Sequence, residues 1–202
     1  MPTSVGRSYN PVYAPVALPW VAGRFYDSFI TSGATTTVIP GLNCHVVPFL
    51  VPNTIVATAL GIEVSGAATA GTTFRLALYT TDTYGMPGTL ITSGTCVADA
   101  TGFQSVALSQ QLQAGIVWGA IGQTSAAANA TIRALPTTPL HLANIANIGT
   151  LAATGYNAIV VGNTGDDFAT FGFPKVFFKM GDNVLGVNFQ ASVAAARVMI
   201  GV

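Results

Sequence analysis

The stretch "TTFRLALYT" constrains the fold more than any other feature of this chain. Phe74, Leu76 and Leu78 alternate with Thr73, Arg75, Ala77 and Tyr79, and a period of two places the sets on opposite faces of a strand. Asp82, Gly85, Pro87 and Gly88 follow, and these residue types close turns through side-chain capping, positive φ or a fixed φ. Further strand-length segments succeed them: "GTLITSGTCVA", "GFQSVALS" and "AGIVWGAIG". In the last, Ile116, Trp118 and Ala120 alternate with Val117 and Gly119. Strands at this spacing, joined by Gly, Thr and Asp turns, predict an all-β fold, an antiparallel sandwich or barrel. Of the two, an antiparallel β-sandwich of jelly-roll-like type is the expectation.

Upstream, "GRFYDSFIT", "TTTVI" and "TIVATALGIEVSG" read as strands, the last with a bulge at Gly61. Pro48 and Pro52 in "HVVPFLVP" argue against a central strand, because proline cannot donate to a ladder. Residues 135–156, "LPTTPLHLANIANIGTLAATGY", break the rhythm and predict a short helix or a long connection. Strand signals return in "NAIVVG", "PKVFFKM" and "AAARVMIGV". No linker separates a second domain, so residues 23–202 are expected to form one.

Residues 1–22 read as an extended arm. Pro2, Pro11, Pro15 and Pro19 hold it out of helix. Tyr13, Val16, Leu18 and Trp20 form an apolar series along it, poorly suited to float in water. The arm is expected to lie across its own domain or a neighbouring subunit, with these four residues as its assembly contacts. Its interrupted apolar character does not read as a signal peptide.

Charge is scarce. Half of the 202 residues are hydrophobic but only 7% are charged, far below the roughly 25% of an average soluble protein. No charged residue lies between Asp27 and Glu63, Asp99 and Arg133, or Arg133 and Asp166. Gly, Pro, Thr, Ser, Asn or Gln interrupts each of these runs, so none makes the roughly 20-residue apolar span of a membrane helix, and no membrane insertion is expected. The seven basic residues are scattered and the net charge is zero, which removes the electrostatic footprint of a nucleic-acid partner. A neutral, charge-poor surface is a solubility risk for a free monomer. It points to an assembly, a homo-oligomer in which much of the surface is covered.

Catalytic signals are weak. The acids Asp27, Glu63, Asp82, Asp99, Asp166, Asp167 and Asp182 show no spacing that argues for a glycosidase pair. Asp166 and Asp167 sit in "GNTGDDFATFG", which lacks the spaced ladder and closing Glu of an EF-hand and reads as an Asp-rich turn, leaving a bound Ca2+ open. His45 and His141 have no metal-ligand spacing, and His45 reads as a satisfied core or interface residue. Cys44 and Cys96 read as buried thiols, with a bridge between them open. No GxSxG, HExxH, P-loop or GxGxxG occurs. Neither an enzyme nor a cofactor is expected.

Four segments occur in an order that resembles tailed-bacteriophage virion proteins: Ala22–Tyr26, Val47–Pro52, the hairpin Arg75–Ile91 and Leu112–Ala120. The terminal "ARVMIGV" is similar too. The resemblance implies a β-sandwich on the phage particle, in a tail fibre, a tail tip or a capsid decoration, with other virion proteins as partners. A second expectation is a carbohydrate-binding receptor-recognition module for a host surface glycan. Tyr79, Tyr84 and Tyr156 are its candidate ligand contacts, while Trp118 reads as core.

Overall fold

A computed structural model describes residues 20–27, 35–39, 44–83, 87–124, 129–135, 156–161, 187–191, 195–196 and 198–202. These residues contain strands and no helix. Two sheets are formed, and every strand pairing is antiparallel.

The first sheet is built on β4 (Ile55–Gly66). Along one side of it runs β7 (Gly102–Leu112). On the other side, β13 (Met199–Gly201) and β9 (Thr131–Leu135) share its length. To β13 is added β1 (Phe25–Asp27), and to β9 are added β2 (Thr35–Val38) and β12 (Ala195–Ala196). The second sheet has the order β11 (Val187–Ala191), β10 (Tyr156–Val161), β3 (Cys44–Val51), β8 (Gly115–Gln123), β5 (Thr73–Thr81) and β6 (Pro87–Val97).

One apolar core takes side chains from both sheets. Leu60, Ile62, Ile132 and Ile200 come from the first, and Val47, Phe49, Leu76, Leu78 and Ile121 from the second. Fully burying one such side chain is worth about 1.5–3 kcal/mol. Between the sheets contact is close: a Cβ on Gly94 of β6 would stand 2.2 Å from Cγ1 of Val106 on β7.

Three expectations need correction. First, β3 is an interior strand despite Pro48, lying between β10 and β8. Pairing to β10 covers only Cys44–Val46, whereas pairing to β8 runs the whole strand. Pro48 therefore falls where β3 is paired on one side only, and its missing N–H costs no bond on the other.

Second, β4 is regular at Gly61, which pairs with Ser105 and Met199. The pairing slips between Ala57 and Ala59 instead. Across that slip the buried set of β4 changes from Ile55 and Ala57 to Leu60, Ile62 and Val64. Gly61 serves a different end: it leaves room for two aromatic rings.

Third, the face of β5 that carries Tyr79, expected to offer it to a ligand, is covered at its centre. Ala77 and Tyr79 are fully buried, as are their cross-strand neighbours Ala120 and Trp118 on β8 and Val46 on β3. The second sheet is therefore buried on both faces at its centre. In the β5–β6 turn, Pro87 and Gly88 already belong to β6, and Gly88 admits Thr80, whose Oγ1 would lie 2.9 Å from a Cβ there. Gly85 lies outside the described residues, as do the predicted strand "PKVFFKM" and residues 136–155 of the predicted break.

Candidate functional site

The outer face of the first sheet carries an aromatic pair. Phe25 on β1 pairs with Gly201 on β13, which in turn pairs with Ala59 on β4. Phe103 on β7 pairs with Glu63 on β4. The two rings meet edge to face at 4.7 Å between centroids, inclined at 70°, a favoured geometry for rings with a negative face and positive edge.

Two glycines make the meeting possible. A Cβ on Gly61 would lie 2.3 Å from Phe103 Cζ and 3.2 Å from Phe25 Cε1, and one on Gly201 would lie 2.9 Å from Phe25 Cε1. Despite this seating, Phe25 remains 41% and Phe103 47% exposed. Beside them on the same face is an ion pair, with Arg133 Nε donating to Glu63 Oε1 at 3.4 Å. Both partners are substantially exposed, so the pair adds specificity of charge placement and little stability.

A second feature is a cleft of about 320 Å³ where the ends of β5, β7 and β8 converge. Exposed Thr80, Gln111 and Gln113 and buried Leu112 and Val117 are among its lining residues. Thr81 Oγ1 donates to the carbonyl of Ile116, and Thr54 Oγ1 donates to Gln113 Oε1 at 3.1 Å. No described lining residue is ionisable. The cleft offers amides, hydroxyls and apolar surface, which suits a neutral ligand and supplies no general acid or base.

The candidate residues read from the sequence do not converge. Tyr79, an expected ligand contact, is fully buried and cannot meet a surface ligand. Burial pushes its hydroxyl pKa up, with Cys44 beside it a lesser cause. Trp118 is core as expected, though on the sheet face away from the shared core. Tyr84 lies outside the described residues, and Tyr156 begins β10.

Of the arm series, Tyr13, Val16 and Leu18 lie outside the described residues. Trp20 stacks on Tyr26 with centroids 4.6 Å apart and 2° between planes, and packs against the shared core. It lies on its own domain, one of the two placements expected for the arm. Just beyond, Gly23 N–H donates to the Val202 carbonyl and Val202 N–H to that of Arg24.

His45 is buried, but among the described residues its Nδ1 has no hydrogen-bond partner, so the expected satisfied histidine is not found there. Burial alone lowers its pKa to about 4. Cys44 and Cys96 are free. They lie on strands separated by β8 and β5, three spacings of about 4.8 Å, beyond the Cα reach of a disulfide. Burial raises both thiols, Cys96 to about 11. Asp166, Asp167, Asp182 and His141 lie outside the described residues. Among the described residues no three His, Cys, Asp or Glu side chains gather to hold a metal ion.

Phe25 and Phe103 were not among the sequence candidates, though the outward phase of Phe103 is legible. Val106, Leu108 and Leu112 set the inward, even phase of β7, and Phe103 is odd. A lone outward aromatic is common on protein surfaces; Phe103 becomes a signal only with Phe25 against it, and that partnership is a product of the fold. No protein-family model and no curated protein matches this chain.

Proposed function

We propose that the two sheets form a jelly-roll-like β-sandwich and that the chain is a non-enzymatic structural protein of a tailed-phage particle. In this reading it is a surface component of a tail fibre, tail tip or capsid decoration. It assembles with other virion proteins through residues 1–22 and through the outer face of the first sheet. The carrying observation is the exposed Phe25–Phe103 pair, seated on Gly61 and Gly201. Exposed aromatics held in a fixed geometry lose little entropy on docking and anchor interfaces. The scarcity of charge and the order of the phage-like segments support the same reading.

The test is incorporation. A Phe25→Ser/Phe103→Ser variant, folded by circular dichroism, should fail to enter particles that accept the wild type, as judged by immunogold labelling. Normal incorporation would remove this face from the assembly surface. Absence of the wild-type protein from particles would remove the virion reading.

The cleft favours a second reading, recognition of an uncharged host glycan. Its hydroxyl and amide groups both donate and accept, and the apolar residues between them can meet a sugar's C–H face. A neutral glycan held there should lose affinity on Gln113→Ala. Retention of full affinity by this variant would exclude the cleft.

A further inference from the structure

The sequence of β7 is a palindrome in residue type. From Gln104 to Gln110 it reads Gln-Ser-Val-Ala-Leu-Ser-Gln, with Ala107 at its centre. Among the described residues, β7 pairs with β4 alone and so forms an edge of its sheet. Its odd residues from Phe103 to Gln111 are exposed, and its even residues from Gln104 to Gln110 are only half-buried.

Edge strands carry unpaired N–H and C=O groups, and proteins blunt them with charges, proline or bulges. The other described edge on this side, β6, is blunted: it begins at Pro87, and its pairing with β5 slips twice near Tyr79. β7 has no proline and no charged residue along its 11 residues. Its pairing with β4 slips once, where Ala107–Gln110 of β7 spans one residue more than Ala57–Ala59 of β4, but the alternation of exposure along β7 runs on through the slip.

We propose that β7 is a self-pairing edge, which joins the first sheets of two copies of this chain about a two-fold axis at Ala107. In an antiparallel pair centred there, Ser105 faces Ser109 of the second copy, Gln104 faces Gln110, and Val106 faces Leu108. Each match then occurs twice, as two-fold symmetry requires. Hydroxyl meets hydroxyl, amide meets amide and branched apolar meets branched apolar, the like-with-like pairs that stabilise neighbouring strands. With no charge on the strand, nothing repels across the axis. The palindrome commits the edge to a second copy, since a heterologous strand would have no need of it. The inference stands apart from the particle reading, because it concerns the purified chain in solution.

Light scattering on the 202-residue chain should show mass rising with concentration towards a dimer, since one strand per subunit buries less than a standard interface. Ser105 and Ser109 are exposed, so substituting them should leave the thermal midpoint nearly unchanged. Ser105→Lys/Ser109→Lys places like charges opposite one another twice and should raise the dimer dissociation constant about tenfold or more. Ser105→Lys/Ser109→Glu places opposite charges in the same positions and should restore dimerisation. An equimolar mixture of the double-lysine variant with Ser105→Glu/Ser109→Glu should form heterodimers. A wild type that stays monomeric overturns the proposal, as does a double-lysine variant that dimerises as well as wild type. Loss of dimer in the double-lysine variant without rescue by the lysine–glutamate variant overturns the two-fold register.

Discussion

Phe103 occupies the space where a side chain on Gly61 would stand, with its Cζ 2.3 Å from the position of a Cβ. That overlap makes the glycine and the ring a single unit of the surface. Gly61→Ala must push the half-exposed ring aside and break its edge contact with Phe25, at a cost of about 0.5–1.5 kcal/mol, the worth of such an aromatic pair. In a Phe103→Ala background the obstruction is gone, and the same substitution should be close to neutral. A double-mutant cycle by urea unfolding checks this; equal costs in both backgrounds would refute the coupling.

Gly119 makes a harsher version of the same test. A Cβ there would lie 2.5 Å from Cε2 of Phe49, which is fully buried and cannot swing into solvent. Gly119→Ala should therefore cost more than Gly61→Ala, at or above the upper end of the roughly 1–3 kcal/mol typical of overpacking. Equal or reversed denaturation midpoints would mean that the core around Phe49 yields.

Much of the strand layout was legible because β5 and β7 each keep one apolar phase along their length. Phe74, Leu76 and Leu78 point into the shared core as their alternation predicts. What the pattern could not carry was the number of neighbours a strand acquires. Tyr79 alternates like a solvent-facing residue and is buried because its sheet is covered on both faces. Pro48 reads as an edge residue, yet sits in an interior strand whose pairing with its second neighbour stops before reaching it. The phase change in β4 between Ala57 and Leu60 was present in the apolar spacing, but Gly61 offered a more familiar reason for irregularity. At the candidate site, the out-of-phase Phe103 was readable, whereas its partnership with Phe25 depends on β13 bringing β1 beside β4.

His45 predicts acid sensitivity. Its pKa falls from the usual 6.5 to about 4 in the folded chain because burial penalises the charged imidazolium. The unfolded chain therefore binds the proton more readily. Stability is fully present above about pH 6.5, declines as pH falls towards 4, and levels off below it, a loss of about 3 kcal/mol from this group. His45→Leu should flatten that segment of the urea midpoint against pH. The same substitution removes the unpartnered Nδ1, so stability at pH 7 should hold or rise. An unchanged acid slope in the variant would assign the loss to other groups.

Trp20 separates the arm's two roles. Its stacking on Tyr26 and contact with the shared core make it part of the domain, although it stands at the end of the apolar series expected to drive assembly. Deleting residues 2–19 should leave the thermal midpoint near that of the parent chain while reducing incorporation into particles. Trp20→Ala in the otherwise intact chain should instead lower stability by about 1–2 kcal/mol, less than the 3–5 kcal/mol of a fully buried tryptophan because the ring is only partly covered. Calorimetry and particle incorporation on the two variants should thus give opposite patterns. A marked fall in midpoint on deleting residues 2–19 would place more of the arm in the domain's own core; an unchanged midpoint for Trp20→Ala would show that the stacked indole contributes nothing measurable to it.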